Sequence, residues 1–294
     1  KNRLLESRLP GIIAEFKRKS PSKGWIHEDA DVVDITAGYF EAGASGISVL
    51  TDSKYFGGVP EDLMAARPHV SCPILRKDFM VDDYQLFEAK AMGADVILLI
   101  AAALSVEKTL TLAEKAKALS LEVLLEIHNR EELGHINDYV DMVGVNNRNL
   151  KTFEVSTEVS LELAGLIPDK FVKISESGIS SVDTVQLLRN AGYKGFLMGE
   201  NFMKEADPAE ARRREVAGVL RAGAGDRARQ GSAGLDRRPA RRGAVLLLRV
   251  PLHPAEGRQA DRRRDRIGEQ LGVEVPLPLG AGGSGAEPLP AARR

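Results

Sequence analysis

Carboxylates, lysines and amides recur at the ends of short apolar runs through the first two-thirds of this chain. They are Glu15 and Lys17, Asp52, Lys77 and Asp78, Glu126 and His128, Asn146 and Arg148, Glu176, and Glu200. Lys77 and Glu126 fall inside otherwise apolar runs, where an unpaired charge is costly. The chemistry such groups offer is general acid–base catalysis, with an ammonium that gives a proton and a carboxylate that takes one. The structural alternative is that Glu15–Lys17 and Lys77–Glu126 only tie strand ends together, although buried pairs give little net stability. His128 lies one pleat past Glu126, but no second His or carboxylate completes a metal constellation, so no metal is expected. The single cysteine, Cys72, reads as a buried inert thiol and excludes both a disulfide framework and a Cys-based zinc site.

The elements that must position these groups follow from the pattern around them. Eight β-rich runs occur: Gly11–Lys17, Gly46–Asp52, Pro73–Phe79, Asp95–Ala101, Leu121–His128, Met142–Arg148, Lys170–Gly178 and Lys194–Asn201. Several are continuously apolar, as strands buried on both faces should be. Helical patterns separate them. Asp82-Asp83 precede one that closes on Gly93, Ser105 precedes VEKTLTLAEKAKAL, Asn129 with Glu132 fits a capping pair, and Ser181 caps a helix ending at Gly192. Eight strand–helix repeats in about 200 residues predict an α/β fold, a closed (β/α)8 TIM barrel, which carries its active site at the C-terminal ends of its strands. No G-x-G-x-x-G fingerprint or P-loop is present. Ser177-Gly178 and Gly199-Glu200 follow the seventh and eighth runs, where this fold builds its phosphate cradle from backbone donors. The basic, Pro- and Gly-punctuated loop Arg18–Trp25 reads as a mobile active-site loop rather than a nucleic-acid patch.

Six segments together resemble the indole-3-glycerol-phosphate synthase family: IIAEFKRKSPSKG (12–24), LRKDF (75–79), LLEIH (124–128), VGVNNRNLKTFEV (143–155), ISESGI (174–179) and GFLMGENFM (195–203). The resemblance runs in unbroken order over about 200 residues. It implies a carboxy-lyase of tryptophan biosynthesis. The enzyme closes the indole ring of 1-(2-carboxyphenylamino)-1-deoxyribulose 5-phosphate, releases carbon dioxide and water, and uses no cofactor. Carried over by motif, Lys77 is the general acid for ring closure, with a pKa lowered by nearby cations and apolar walls. Lys17 helps the hydroxyl depart and lies near the phosphate, Glu126 is the general base or proton shuttle, and Glu15 positions or activates Lys17 and the ribulose hydroxyls. Asn146 and Glu176 orient the substrate. Phe79 packs on the anthranilate ring, Arg148 lies near the substrate carboxylate, and Ser20 adds a phosphate donor. Glu200 stands where the family often has Ser; its carboxylate is expected to point away from the phosphate and leave only its N–H. The implied partners are a small phosphorylated substrate and other tryptophan-pathway enzymes, with no membrane and no nucleic acid. The family also carries an N-terminal extension with a helix over the active site, and only ten residues precede the first run here, so the chain reads as N-terminally truncated.

Two other readings stand beside this one. Another phosphate-binding barrel, such as phosphoribosylanthranilate isomerase, predicts an early Cys and Asp acid–base pair where this chain has Glu15 and Lys17. The third is an inactive barrel fragment with a basic binding tail. It arises because composition breaks near residue 211. Residues 1–211 hold 15 Lys, 8 Arg and 33 acids, whereas 212–294 hold 18 Arg, no Lys and 9 acids. The second part also lacks Phe, Tyr, Trp, Asn, Thr, Met and Cys. Asp207-Pro208-Ala209-Glu210 begins an eighth helix that this altered text then interrupts, leaving only Val216, Val219 and Leu220 at helical spacing. The expected division is a catalytic barrel over 1–211 and an Arg/Ala/Gly/Pro-rich tail over 212–294, disordered or derived from a shifted reading frame. No apolar run reaches the ~20 residues of a membrane span and no signal segment opens the chain, so the expected location is the cytoplasm.

Overall fold

The computed structural model describes residues 1–6, 10–205, 210 and 262–269. All eight predicted runs become strands of one closed parallel barrel: β1 (Gly11–Phe16), β2 (Gly46–Leu50), β3 (Ile74–Lys77), β4 (Val96–Ile100), β5 (Glu122–Ile127), β6 (Met142–Asn146), β7 (Val172–Glu176) and β8 (Gly195–Met198). Each strand pairs with its sequence neighbours, and β1 closes the ring against β8. The strands are shorter than their apolar runs. Lys17, Asp52, Phe79, His128 and Arg148 leave the ladder and stand just beyond its C-terminal edge.

Strand residues alternate between two cores, as a period of two requires. Ile12, Ala14, Phe16, Ile47, Val49, Ile97, Leu99, Val123, Leu125, Val143, Val145 and Phe196 face the surrounding helices. Ile13, Leu75, Val96, Leu98, Leu124, Met142, Val172, Ile174 and Leu197 fill the lumen, with Leu4 of the N-terminal helix Asn2–Glu6 packed among them. Leu4 also lies against Gly11 and Gly195, so this short helix plugs the barrel at its N-terminal end. Stepping two residues from a lumen position toward the C-terminal end leads from Ile13 to Glu15, Leu75 to Lys77, Leu124 to Glu126, and Ile174 to Glu176. One parity thus sets both the lumen packing and the polar cluster above it.

The helices form where their caps predict. Ser105 accepts from Lys108 N–H to start Val106–Ala118, and Ser181 accepts from Thr184 N–H to start Val182–Asn190. Gly93 and Gly192 take φ of 91° and 105°, the left-handed region that ends a helix without a Cβ penalty. Three local readings change. Asp83 makes no cap hydrogen bond; Asp82 Oδ1 accepts from Tyr84 N–H instead. The Asn129–Glu132 pair caps a 3-10 helix, Arg130–His135, rather than an α-helix. The loop Arg18–Trp25 is an antiparallel hairpin pairing Lys19 with Trp25 and Ser20 with Gly24. Arg18 anchors it with two hydrogen bonds to Asp62, at 2.6 and 2.9 Å.

The expected helix start at Asp207–Pro208–Ala209 and the stretch holding Val216, Val219 and Leu220 lie outside the described residues. Within the tail, residues 262–269 form a helix where the sequence offered no folded element. It rests on the barrel rim. Arg264 reaches the buried carboxylates of Asp52 and Asp78 at 3.5 and 3.6 Å, and the Tyr55 hydroxyl donates to the Asp265 carbonyl. No described helix is long and apolar enough to cross a membrane.

Candidate active site

The C-terminal ends of the strands surround a cavity of about 350 Å³. Every residue expected to be catalytic lines it: Glu15, Lys17, Lys77, Glu126, Asn146 and Glu176. So do the expected binding residues Ser20, Phe79, Arg148, Ser177, Gly178, Gly199 and Glu200.

Lys77 is the centre of the polar cluster. Its Nζ donates to Glu176 Oε2 at 2.6 Å and lies 3.5 Å from Glu126 Oε2 and 3.9 Å from Glu15 Oε2. Glu15 in turn holds Lys17 Nζ at 2.7 Å. Asn146 Nδ2 donates to Glu126 Oε1 at 3.1 Å, while its own Oδ1 accepts from Arg148 N–H. The three carboxylates are buried, so their charges are tolerable only because cations sit between them.

This arrangement overturns the expectation of a lowered Lys77 pKa. Burial does disfavour the ammonium, but the carboxylates of Glu176, Glu126 and Glu15 outweigh it and raise the pKa above the ordinary lysine value. The neighbours are carboxylates where cations were expected, because the lumen parity points Glu15, Glu126 and Glu176 to the same spot. The carboxylates themselves diverge. Burial raises all three. Lys17 and Lys77 overcome it at Glu15, and Lys77, His128 and Asn146 overcome it at Glu126, so both end below the usual range. At Glu176 burial wins over Lys77 and, with the Glu126 charge adding to it, pushes the carboxyl up to about 7.

Glycine is required at two points of this cluster for space. A Cβ on Gly144 would overlap Glu176 Oε1, and one on Gly199 would stand 2.7 Å from Glu15 Cβ. Gly144→Ala is expected to displace the Glu176 carboxylate from Lys77. It should cost about 10²-fold in kcat and about 1–3 kcal/mol of stability. Steady-state kinetics and urea unfolding of the variant would show this; wild-type kcat would refute it.

Directly after Glu176, Ser177 and Gly178 take φ of 65° and 71°, turning the chain sharply after β7. Ser20 Oγ is buried with no hydrogen-bond partner among the described residues. The Glu200 carboxylate pairs with Lys23 of the hairpin and lies 3.5 Å from Arg148. The apolar wall joins Phe79, stacked edge-on to Tyr55 at 5.8 Å, with Phe56, Leu98, Ile100 and Leu150. Sequence reading missed Leu98 and Ile100, since apolar lumen residues look like ordinary core; the two-residue step along β4 was the available signal.

Comparison with known proteins fits this geometry. The sequence model described as indole-3-glycerol phosphate synthase matches residues 1–214. The chain belongs to the indole-3-glycerol phosphate synthase family. It is 57% identical over 208 residues to the indole-3-glycerol phosphate synthase of Bacteroides thetaiotaomicron, covering 71% of this chain and 80% of that one. The Chromobacterium violaceum synthase is 50% identical over 201 residues, 68% of this chain and 76% of the relative. Among solved structures, a chain of the tryptophan synthase complex from Pyrococcus furiosus shares the fold, with a TM-score of 0.54 at 18% identity over 72% of this chain and 98% of that one. KGPDC from Streptococcus mutans does so at 0.57 and 14% identity, over 73% and 99%. As a member of this synthase family the chain is a carboxy-lyase of tryptophan biosynthesis. The family match ends three residues past the composition break seen near 211.

Proposed function

We propose that the lumen cluster performs indole ring closure on 1-(2-carboxyphenylamino)-1-deoxyribulose 5-phosphate with Lys77 as the acid that initiates it. The observation that carries this reading is an ammonium held by three buried carboxylates at the base of the cavity. As the anthranilate carbon attacks the ribulose carbonyl, negative charge develops on the carbonyl oxygen. An alkoxide is a far stronger base than an amine, so Lys77 can still give up its proton despite a raised pKa. Loss of carbon dioxide then restores the aromatic ring. The hydroxyl made from that carbonyl leaves as water with a proton from Lys17, while Glu126 takes a proton from the neighbouring carbon to form the new double bond. Glu15 positions Lys17, and Asn146 and Glu176 hold Glu126 and Lys77 in place.

The phosphate is assigned to the side of the cavity bounded by Ser20, Ser177-Gly178 and Gly199-Glu200, because this fold builds its phosphate cradle from the loops after its seventh and eighth strands. Arg148 sits beside this side and is assigned to substrate anions, which would compete with Glu200 for its guanidinium. Phe79 is assigned to the anthranilate ring. The small phosphorylated substrate is the partner this site supports. The cytoplasm is the location we assign, where such a phosphorylated metabolite is retained.

The test is direct. Purified chain mixed with the carboxyphenylamino-ribulose phosphate, without added metal, is expected to release indole-3-glycerol phosphate, followed by the fluorescence of the new indole. Absence of product from folded protein at saturating substrate would refute the reading.

A further inference from the structure

His128 stands just past the end of β5 on the lumen side, two residues from Glu126, and the proposed reaction gives it no role. Its ring is nearly buried, with 10% of the side chain exposed. Nε2 lies 3.2 Å from Glu126 Oε1, a charge contact rather than an aligned hydrogen bond, and Nδ1 lies 3.3 Å from Glu132 Oε2. Glu132 is itself fixed: Oε2 accepts from His128 N–H at 2.7 Å and Oε1 from Asn129 Nδ2 at 3.1 Å. The imidazole is therefore bridged between a structural carboxylate on the 3-10 helix and the proposed base on β5.

Distances around Lys77 explain why such a bridge matters. The ammonium lies 0.9 Å nearer to Glu176 than to Glu126, at 2.6 against 3.5 Å. Lys77 alone would therefore favour a charged Glu176 and leave the proton on Glu126, the opposite of what a base at Glu126 needs. The groups that reverse this are on the other side of Glu126: the Asn146 amide and the His128 ring.

We propose that His128 is a positioning residue for the ring-closure reaction: held as an imidazolium by Glu132, it keeps the Glu126 carboxylate charged and oriented, and so decides which of the two carboxylates on Lys77 carries the proton. This rests on the assignment of Glu126 as the base. The charges facing the imidazole are Glu126 and Glu132; those facing Glu126 are Lys77, His128, Glu176 and Glu15. Burial works against the imidazolium, but the two carboxylates outweigh it and push the ring up to about 10, so it stays charged across neutral pH.

His128→Gln tests the charge, because the amide can still reach Glu126 but cannot become a cation. The acidic limb of the kcat–pH profile is expected to move up by about one unit or more. The rate should then fall about tenfold on the acidic side and return as the pH is raised. A purely structural role would give a loss independent of pH, and either a uniform loss or an unshifted profile overturns the proposal. Glu126→Gln separates the two ideas. Little or no activity at any pH is expected, and an active variant would refute the base assignment itself. If His128→Gln does not fold, the wild-type chain still decides. One of its five histidines should keep the ring-nitrogen NMR shifts of an imidazolium above about pH 8. Five rings all neutral by that pH would overturn the proposal.

Discussion

Replacing Lys77 with Met is expected to lower kcat for ring closure by about 10²–10⁴-fold, the range lost when a general acid is removed. Met keeps most of the apolar stem in the lumen, so packing above Leu75 is largely preserved while the ammonium is lost. The barrel should remain folded. Glu15, Glu126 and Glu176 would then share a buried site without their common cation, and such a cluster relieves itself by taking up protons rather than by unfolding. Two measurements check this: steady-state kinetics with the carboxyphenylamino-ribulose phosphate, and thermal unfolding of the same preparation. A folded variant within tenfold of wild-type kcat would sink the assignment of Lys77 as the initiating acid.

Arg76→Ala, one residue earlier, is expected to have its large effect on stability. Arg76 points away from the lumen and is only 1% exposed. Its guanidinium donates to Thr51 Oγ1, the Gln85 carbonyl and Asp78 Oδ2 at 3.0–3.1 Å, with Glu88 at 3.4 Å. Removing one partner of a buried pair costs about 3–5 kcal/mol, because the other charge stays buried without it. Urea unfolding should show that loss; a change under about 1 kcal/mol would show that Asp78 finds another cation, for which Arg264 at 3.6 Å is placed. Adjacent residues of one strand are thus expected to fail in different ways, because alternation sends one to the reaction and the other to the helix layer.

Much of this was legible in the chain itself. Eight apolar runs at βα spacing gave the barrel, and Ser105, Ser181, Gly93 and Gly192 gave helix ends, because these depend on local periodicity and backbone geometry. Motif order gave the family and the residues that line the cavity. The sequence marked 207–210 as a helix start but not the helix at 262–269, whose support comes from barrel residues such as Asp52, Tyr55 and Asp78, more than 180 positions away.

What only the tertiary structure decided is electrostatic. The residue types Lys77, Glu15, Glu126 and Glu176 follow from the motifs, but their mutual distances follow from barrel closure and shear. Those distances reverse the expected direction of the Lys77 shift, and they turn the Glu200 carboxylate toward Lys23 and Arg148. They also bring His128 between Glu126 and Glu132, so that a residue without a role in the motif reading acquires one. Local sequence determines which residues a strand presents to the lumen, since the pleat has a period of two. Which charges then meet, and which of them keeps its proton, depends on ångström-scale separations between residues as far as 177 positions apart in sequence, where the Coulomb energy of a buried pair changes steeply.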